Sequence, residues 1–329
     1  MKLRIEKYEN HLKEKWDEFV LNDSINGTFL QSRRFLSYHG NRFLDASILF
    51  YKGIDTIVAV VPACTLVEGA KKIFSSHSGS TFGGIIISRQ FNNIEHMNAV
   101  LDAFEIYLRA AGHDEVILKC TESIFTTGNV ELLHYFLFQR GYTPYYEFNS
   151  FIDLVNYDAD ISANFTAGRR RDYHYSLNQN LSFTKIDSEE EIAAFYRILC
   201  KNLQKHNKIP VHSLEELLDF LNKRLRDIVE FYGVFFEGKL VAGSMLFNFQ
   251  DRIFHTQYLA YSQEYPKLFL MNFLVTNLIG EAKRRKFQYF SFGISSEEKG
   301  KIFNKHLAQF KEGFGAQCGL NITYVKEYR

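Results

Sequence analysis

FYGVFFEGKLVAGSMLFNFQDRIFHTQYLAY, residues 231–261, is the stretch from which the fold can be read. It holds three segments dense in β-branched and aromatic residues, Phe231–Phe236, Leu240–Phe249 and Ile253–Tyr261, which read as strands. The turn Glu237-Gly238-Lys239 closes the first hairpin, so the three segments form an antiparallel meander. The chain continues with SQEYPKLFLMNFLVTNLIGEAKRRKFQYFSF over 262–292. A long helix is expected to start near Pro266, a favoured first-turn proline, and to run to about Lys286. Phe287–Phe292 then reads as a strand.

Upstream of the meander, Ser188 with Glu191 and Ser213 with Glu216 each fit the capping box. They predict helices over about 189–207 and 214–225. Downstream, a last helix is expected over about 297–311 and a final strand over 320–325. The first half carries a helix near 11–21, strands over 46–51 and 56–64 around the turn Lys52-Gly53-Ile54-Asp55, and a short strand at 85–87. A helix over 94–111 stops at Gly112, a strand follows at 116–118, and a helix capped by Asn129 ends at Gly141. Both halves run helix, polar break, strand, helix, then strand. Val116 to Gly141 spans 25 positions and Tyr289 to Gly313 spans 24. The repeat implies an α/β (α+β) chain of two copies of one module, residues 1–157 and 158–329.

Composition narrows the function classes. Lys+Arg is 39 and Asp+Glu is 38, a net charge of +1, which excludes a generally polybasic binder of DNA, RNA or membrane surfaces. Phe 32, Tyr 19 and Trp 1 make 16% of the chain aromatic, enough for a large core and against disorder. The four cysteines, Cys64, Cys120, Cys200 and Cys318, show no metal-ligand spacing and sit beside apolar stretches, as reduced core thiols do. No metal is expected. No signal-peptide pattern follows Met1, and the longest apolar run, Leu268 to Val275, is too short for a membrane span. The expected location is the cytoplasm.

Several motifs share a spaced pattern. Trp16, Phe19-Val20, Asn26-Gly27-Thr28-Phe29, Arg34-Phe35-Leu36, Tyr38-His39, Pro62-Ala63, Ser76-His77-Ser78-Gly79 and Gly83-Gly84 open it. Phe292-Gly293-Ile294-Ser295, Gly300, Asn304, Leu307 and Phe310-Lys311-x-x-Phe314-Gly315-Ala316 close it. This resembles the Fem-type branch of the GNAT acyltransferase superfamily over nearly the whole chain. The resemblance implies two tandem GNAT-like modules, each a mixed, mostly antiparallel sheet flanked by helices. It implies an acyltransferase acting on a cell-wall or surface-polysaccharide precursor, with acyl-CoA as co-substrate or aminoacyl-tRNA as the alternative donor. The expected acceptor is a small-molecule or nucleotide- or lipid-linked sugar. The long basic coiled-coil insertion of some tRNA-using relatives is absent, which disfavours tRNA.

In such a module the donor lies in a gap between two parallel strands, here Ile253–Tyr261 and Phe287–Phe292. His255 is the candidate base, Tyr258 the candidate acid for a leaving thiolate, and Lys311 the candidate cation for the oxyanion. By period two, His255 and Tyr261 share one strand face and Tyr258 takes the other. Lys267, Leu268 and Phe269 open the helix expected to meet the donor phosphates, although the usual Q/R-x-x-G-x-G/A loop is missing. His77, Ser78, Gly83 and Gly84, in a glycine-rich polar loop, and Arg170 and Arg171, in the triplet 169–171, are candidate acceptor contacts. A chain without the phosphate loop also fits a silent binding protein that kept the fold.

Overall fold

The computed structural model describes residues 2–205 and 207–328. Met1, His206 and Arg329, which fall in the expected ranges 1–157, 189–207 and 158–329, lie outside the described residues. The described residues fall into two compact units. One lies within Met1–Glu147, Glu298–Lys301 and Leu320–Arg329, the other within Phe148–Glu297 and Ile302–Gly319. This division differs from the expected cut at 157/158, and strand pairing is the reason. Residues 149–153 of the strand Thr143–Asp153 pair antiparallel with Tyr289–Ile294 inside the second unit. Residues 323–327 pair antiparallel with Glu115–Lys119 inside the first.

The second unit contains the expected meander, as Val229–Phe236, Lys239–Phe249 and Ile253–Tyr261. Leu181–Ile186 extends it on one side and Tyr289–Ile294 on the other. Both capping boxes form, with the Ser188 and Ser213 side chains accepting from the N–H groups of Glu191 and Glu216. The helices they start are shorter than expected, Glu189–Gln204 and Leu214–Asp219. The helix Leu270–Arg284 buries Leu274, Val275, Leu278 and Ile279 with Phe254 and Phe290 of the sheet. Each such side chain contributes about 2 kcal/mol through burial.

Two expectations fail here for backbone reasons. Pro266 starts only a 3-10 turn, Pro266–Leu268, and Phe269 stands in the left-handed region (φ 53°) before the helix begins. The last helix covers Lys305–Glu312 rather than 297–311. Ahead of it Ser296–Glu297 pairs with Ile302–Phe303, and Glu298, Lys299 and Gly300 all have positive φ, which no right-handed helix accepts.

In the first unit Arg4–Lys7, Ile48–Lys52, Thr56–Val61 and Ile86–Ile87 form one antiparallel sheet. The strand expected over 56–64 breaks at Pro62. Cys64 instead opens an unforeseen hairpin, Cys64–Glu68 with Lys71–Ser76, which turns at Gly69 (φ +62°). Lys71–Ser76 lies parallel to Glu115–Lys119, with the helix Ile94–Ala110 between them in sequence. The second unit repeats that order with Ile253–Tyr261, Leu270–Arg284 and Tyr289–Ile294, so the weak sequence repeat is an architectural one. No helix among the described residues is long and apolar enough to cross a membrane.

Candidate active site

The site begins where two parallel strands separate. Ile253–Tyr261 and Tyr289–Ile294 pair for three positions only, Ile253 with Tyr289, Phe254 with Phe290 and His255 with Ser291. Beyond His255 the first strand stays on the meander, while the second follows residues 149–150. Both strands are irregular at the fork. Met245 pairs with Tyr258 and Leu246 with Thr256, which leaves Gln257 as an extra residue. The other strand changes register between Ser291 and Gly293, and Gly293 has φ +76°. Such bulges bend a strand and increase its twist. Across the fork, the Thr256 hydroxyl donates to the Ser291 carbonyl at 3.3 Å.

Lys311 occupies the diverging side. Its helix, Lys305–Glu312, is capped by the Asn304 side chain, which accepts from the Leu307 N–H. The Lys311 Nζ donates to the carbonyls of Gly293 at 2.7 Å and Ile294 at 2.8 Å. It thus serves backbone acceptors that a neighbouring strand would otherwise serve. The residue is 3% exposed, and burial holds its amine far below the ordinary lysine range, at about 7. The Phe-Gly-Ile-Ser and Phe-Lys segments of the sequence therefore meet in space.

His255 stands beside this lysine. Its Nδ1 lies 3.0 Å from the Ser291 hydroxyl, and a Cβ on Gly293 would lie 3.5 Å from its Cε1. Burial first, and the Lys311 charge second, push the imidazole down to about 3. It is neutral at pH 7. Tyr258 is also buried in character, its phenol pushed up to about 12, and its hydroxyl lies 2.8 Å from Nδ1 of His212. The period-two expectation for these residues is corrected by the bulge. His255 pairs with Phe247 and Tyr258 with Met245, two positions apart on one strand, so they share a face. Tyr261 pairs with Ala242 and takes the opposite face.

His212 was not singled out in the sequence. It precedes the Ser213 cap and is 4% exposed, and only the tertiary fold brings it to Tyr258. Arg169, the first arginine of the triplet 169–171, is the one that reaches the core of this unit. Its guanidinium donates to the Asn272 side chain at 2.6 Å and lies over the rings of Phe310 and Phe314. Arg170 donates to the carbonyls of Ser162, Ala163 and Phe165, and Arg171 pairs with the adjacent Asp172 on the surface. Lys267 is exposed, Leu268 is buried and Phe269 precedes a first helical turn with no side-chain cap.

The other candidates belong to the first unit. The Ser76 hydroxyl accepts from the N–H groups of Gly84 and Lys119, and the Gly83 N–H donates to the Lys119 carbonyl at 2.8 Å. A Cβ at Gly83 would lie 2.2 Å from the Ser76 carbonyl oxygen, so the loop needs glycine to approach. Ser78 donates to Ser75 at 3.0 Å. His77 stacks on His39 with centroids 5.1 Å apart, and burial pushes it down to about 3. His77, Ser78, Gly83 and Gly84 thus all take part in the loop's own packing. Among the described residues no group of three or more His, Cys, Asp and Glu is placed to hold a metal ion.

With this geometry the chain can be set beside known proteins. Its residues 166–309 match the family described as acetyltransferase (GNAT) domain. This stretch is similar to a GNAT acetyltransferase domain. The whole chain is similar to the crystal structure of FemX, with 11% identity, TM-score 0.71, and 99% of this chain and 97% of that one covered. It is similar to the structure of L-PGS from Bacillus licheniformis, with 15% identity, TM-score 0.62, and 98% and 94% covered. It is also similar to a tandem GNAT protein from the clavulanic acid biosynthesis pathway, with 10% identity, TM-score 0.57, and 99% and 98% covered. No curated protein sequence matches it. The chain accordingly has the two-module, Fem-like form of the GNAT fold.

Proposed function

We propose that this protein is an acyltransferase that moves an acyl group from acyl-CoA to an amine on a cell-surface glycan or cell-wall precursor. The observation that supports this most is the fork after His255, with the Lys311 amine held at its edge. The thioester carbonyl seats in the fork. The acceptor amine attacks it, and the developing oxyanion is met by a proton of the Lys311 ammonium. As the C–N bond forms and the C–S bond breaks, Tyr258, aligned by His212, gives its proton to the departing thiolate, and the surplus proton on the acylated nitrogen passes to the tyrosinate to restore it. His255 stays neutral and positions Ser291 rather than carrying charge. Donor phosphates fit the first turn of Leu270–Arg284, which has no side-chain cap and lies at the positive end of the helix dipole, with Lys267 beside it.

A second reading, an aminoacyl ester donor, is favoured by one feature of that turn. Phe269, rather than glycine, holds the left-handed position, and its side chain restricts how closely a pyrophosphate can approach the backbone. A thermal-shift screen separates the two. Acetyl-CoA at 100 times its dissociation constant adds about 2.7 kcal/mol of stability. A shift with acyl-CoA and none with charged tRNA supports the first reading, and the reverse supports the second. Silence with every donor and every nucleotide-sugar overturns both.

A further inference from the structure

The second unit carries an apolar rim next to the fork that its core does not explain. Two loops form it. One follows the helix Glu189–Gln204 and carries Ile209 and Val211, 86% and 71% exposed. The other is the hairpin between the fork strand and the last helix. It carries Ile302 and Phe303, 47% and 52% exposed, with Ile294 before it and Leu307 after it. Lys208 ties the loops together, its Nζ donating to a Glu297 carboxylate oxygen at 2.8 Å, and Glu297 pairs with Ile302 in the hairpin. Single exposed apolar residues are ordinary, but four on two joined loops, with Ile294 and Leu307 on the strand and helix that bound the hairpin, mark an interaction surface. The rim borders the site, because the Ile294 carbonyl is one of the two that hold Lys311.

The cations beside these residues indicate the partner. In sequence, Lys205 and Lys305 lie within four residues of these apolar side chains, Lys208 is paired with Glu297, and the hairpin turn carries exposed Lys299 and Lys301 against one exposed acid, Glu298. Protein interfaces are depleted of lysine. Lysine beside projecting isoleucine, valine and phenylalanine suits a bilayer surface, where long stems reach anionic headgroups and apolar tips enter the acyl boundary. The even net charge of the whole chain is no obstacle, since the attraction needs only a local patch within a Debye length.

We propose that this rim docks on the surface of an anionic bilayer, so that an acceptor anchored in lipid meets the fork at the interface. The surface stands whether or not the donor assignment above holds, because its test reads lipid binding and not turnover. The full-length protein is sedimented with vesicles of phosphatidylcholine alone and of phosphatidylcholine with phosphatidylglycerol. The expected result is binding to the second, weakened by salt. Ile209→Asp with Phe303→Asp is expected to lower partitioning about tenfold or more, with an unchanged melting temperature. Ile209→Trp is expected to raise it, which keeps the test decisive if the double variant folds poorly. The idea is lost if the wild type ignores both vesicles, or if the variants partition as the wild type does. It is equally lost if the protein self-associates in solution through these residues and leaves vesicles untouched.

Discussion

The two units each carry a parallel strand pair joined through a helix, and they end that pair in opposite ways. In the first unit the end is sealed. Ser76 bridges the N–H groups of Gly84 and Lys119, Gly83 hydrogen-bonds Lys119, and the Gln31 side chain donates to Gly83 and Thr121. In the second unit the strands part after three pairs, and a lysine amine takes up the released carbonyls. One layout therefore supports a closed, self-satisfied end and an open end edged by a buried amine. The difference lies in what satisfies the backbone: hydroxyl and amide groups in one unit, a titratable amine in the other.

That contrast can be broken most strongly at Lys311. Lys311→Ala is expected to lower turnover by about 10²–10³-fold, as loss of an oxyanion donor does, with donor affinity little changed. Kinetics on the donor and acceptor pair found by the screen checks this. The pH profile sharpens it. With the amine titrating at about 7, a role as ammonium makes the rate fall as pH rises through that value, whereas a role as base makes it rise. Stability responds too. The unfolded chain keeps that proton up to the usual 10.5, so it binds more protons than the native chain between about 7 and 10.5. Stability gains with pH across that window, and Lys311→Met should flatten the gain in denaturant melts.

The sealed end is tested next. Gly83→Ala forces a Cβ onto the Ser76 carbonyl and should cost about 3 kcal/mol of stability. Ser76→Ala leaves two buried N–H groups without their acceptor and should cost about 1–3 kcal/mol, measured by thermal or urea unfolding. Turnover of Ser76→Ala, read at a temperature where it stays folded, should match the wild type. A large catalytic loss there would erase the distinction between the two ends. Tyr258→Phe should reduce turnover modestly, by about tenfold, if a proton is returned through it. Arg171→Ala, on the surface beside Asp172, should change stability by less than about 0.5 kcal/mol.

Much of the second unit was legible. The meander, both capping boxes and the alternation of helix and strand are local patterns, and each formed. The place where Lys311 sits was legible only through the Phe-Lys and Phe-Gly-Ile-Ser motifs, whose residues meet across 18 positions of chain. His212 gave no signal, because a histidine before a helix cap looks like any loop residue. The helix expected over 297–311 starts only at Lys305 because residues 298–300 adopt positive φ, which the side chains of Glu298 and Lys299 do not announce.

Local periodicity and capping chemistry by themselves determined the meander, both capped helix starts and the alternation of helix and strand, since those depend on neighbours a few residues apart. Tertiary structure alone decided which strands close which unit, where the parallel pair opens, and which face Tyr258 shares with His255. The physical reason is that a bulge, a swapped closing strand and a desolvated amine arise from backbone groups seeking partners far along the chain, and those partners exist only once it has folded.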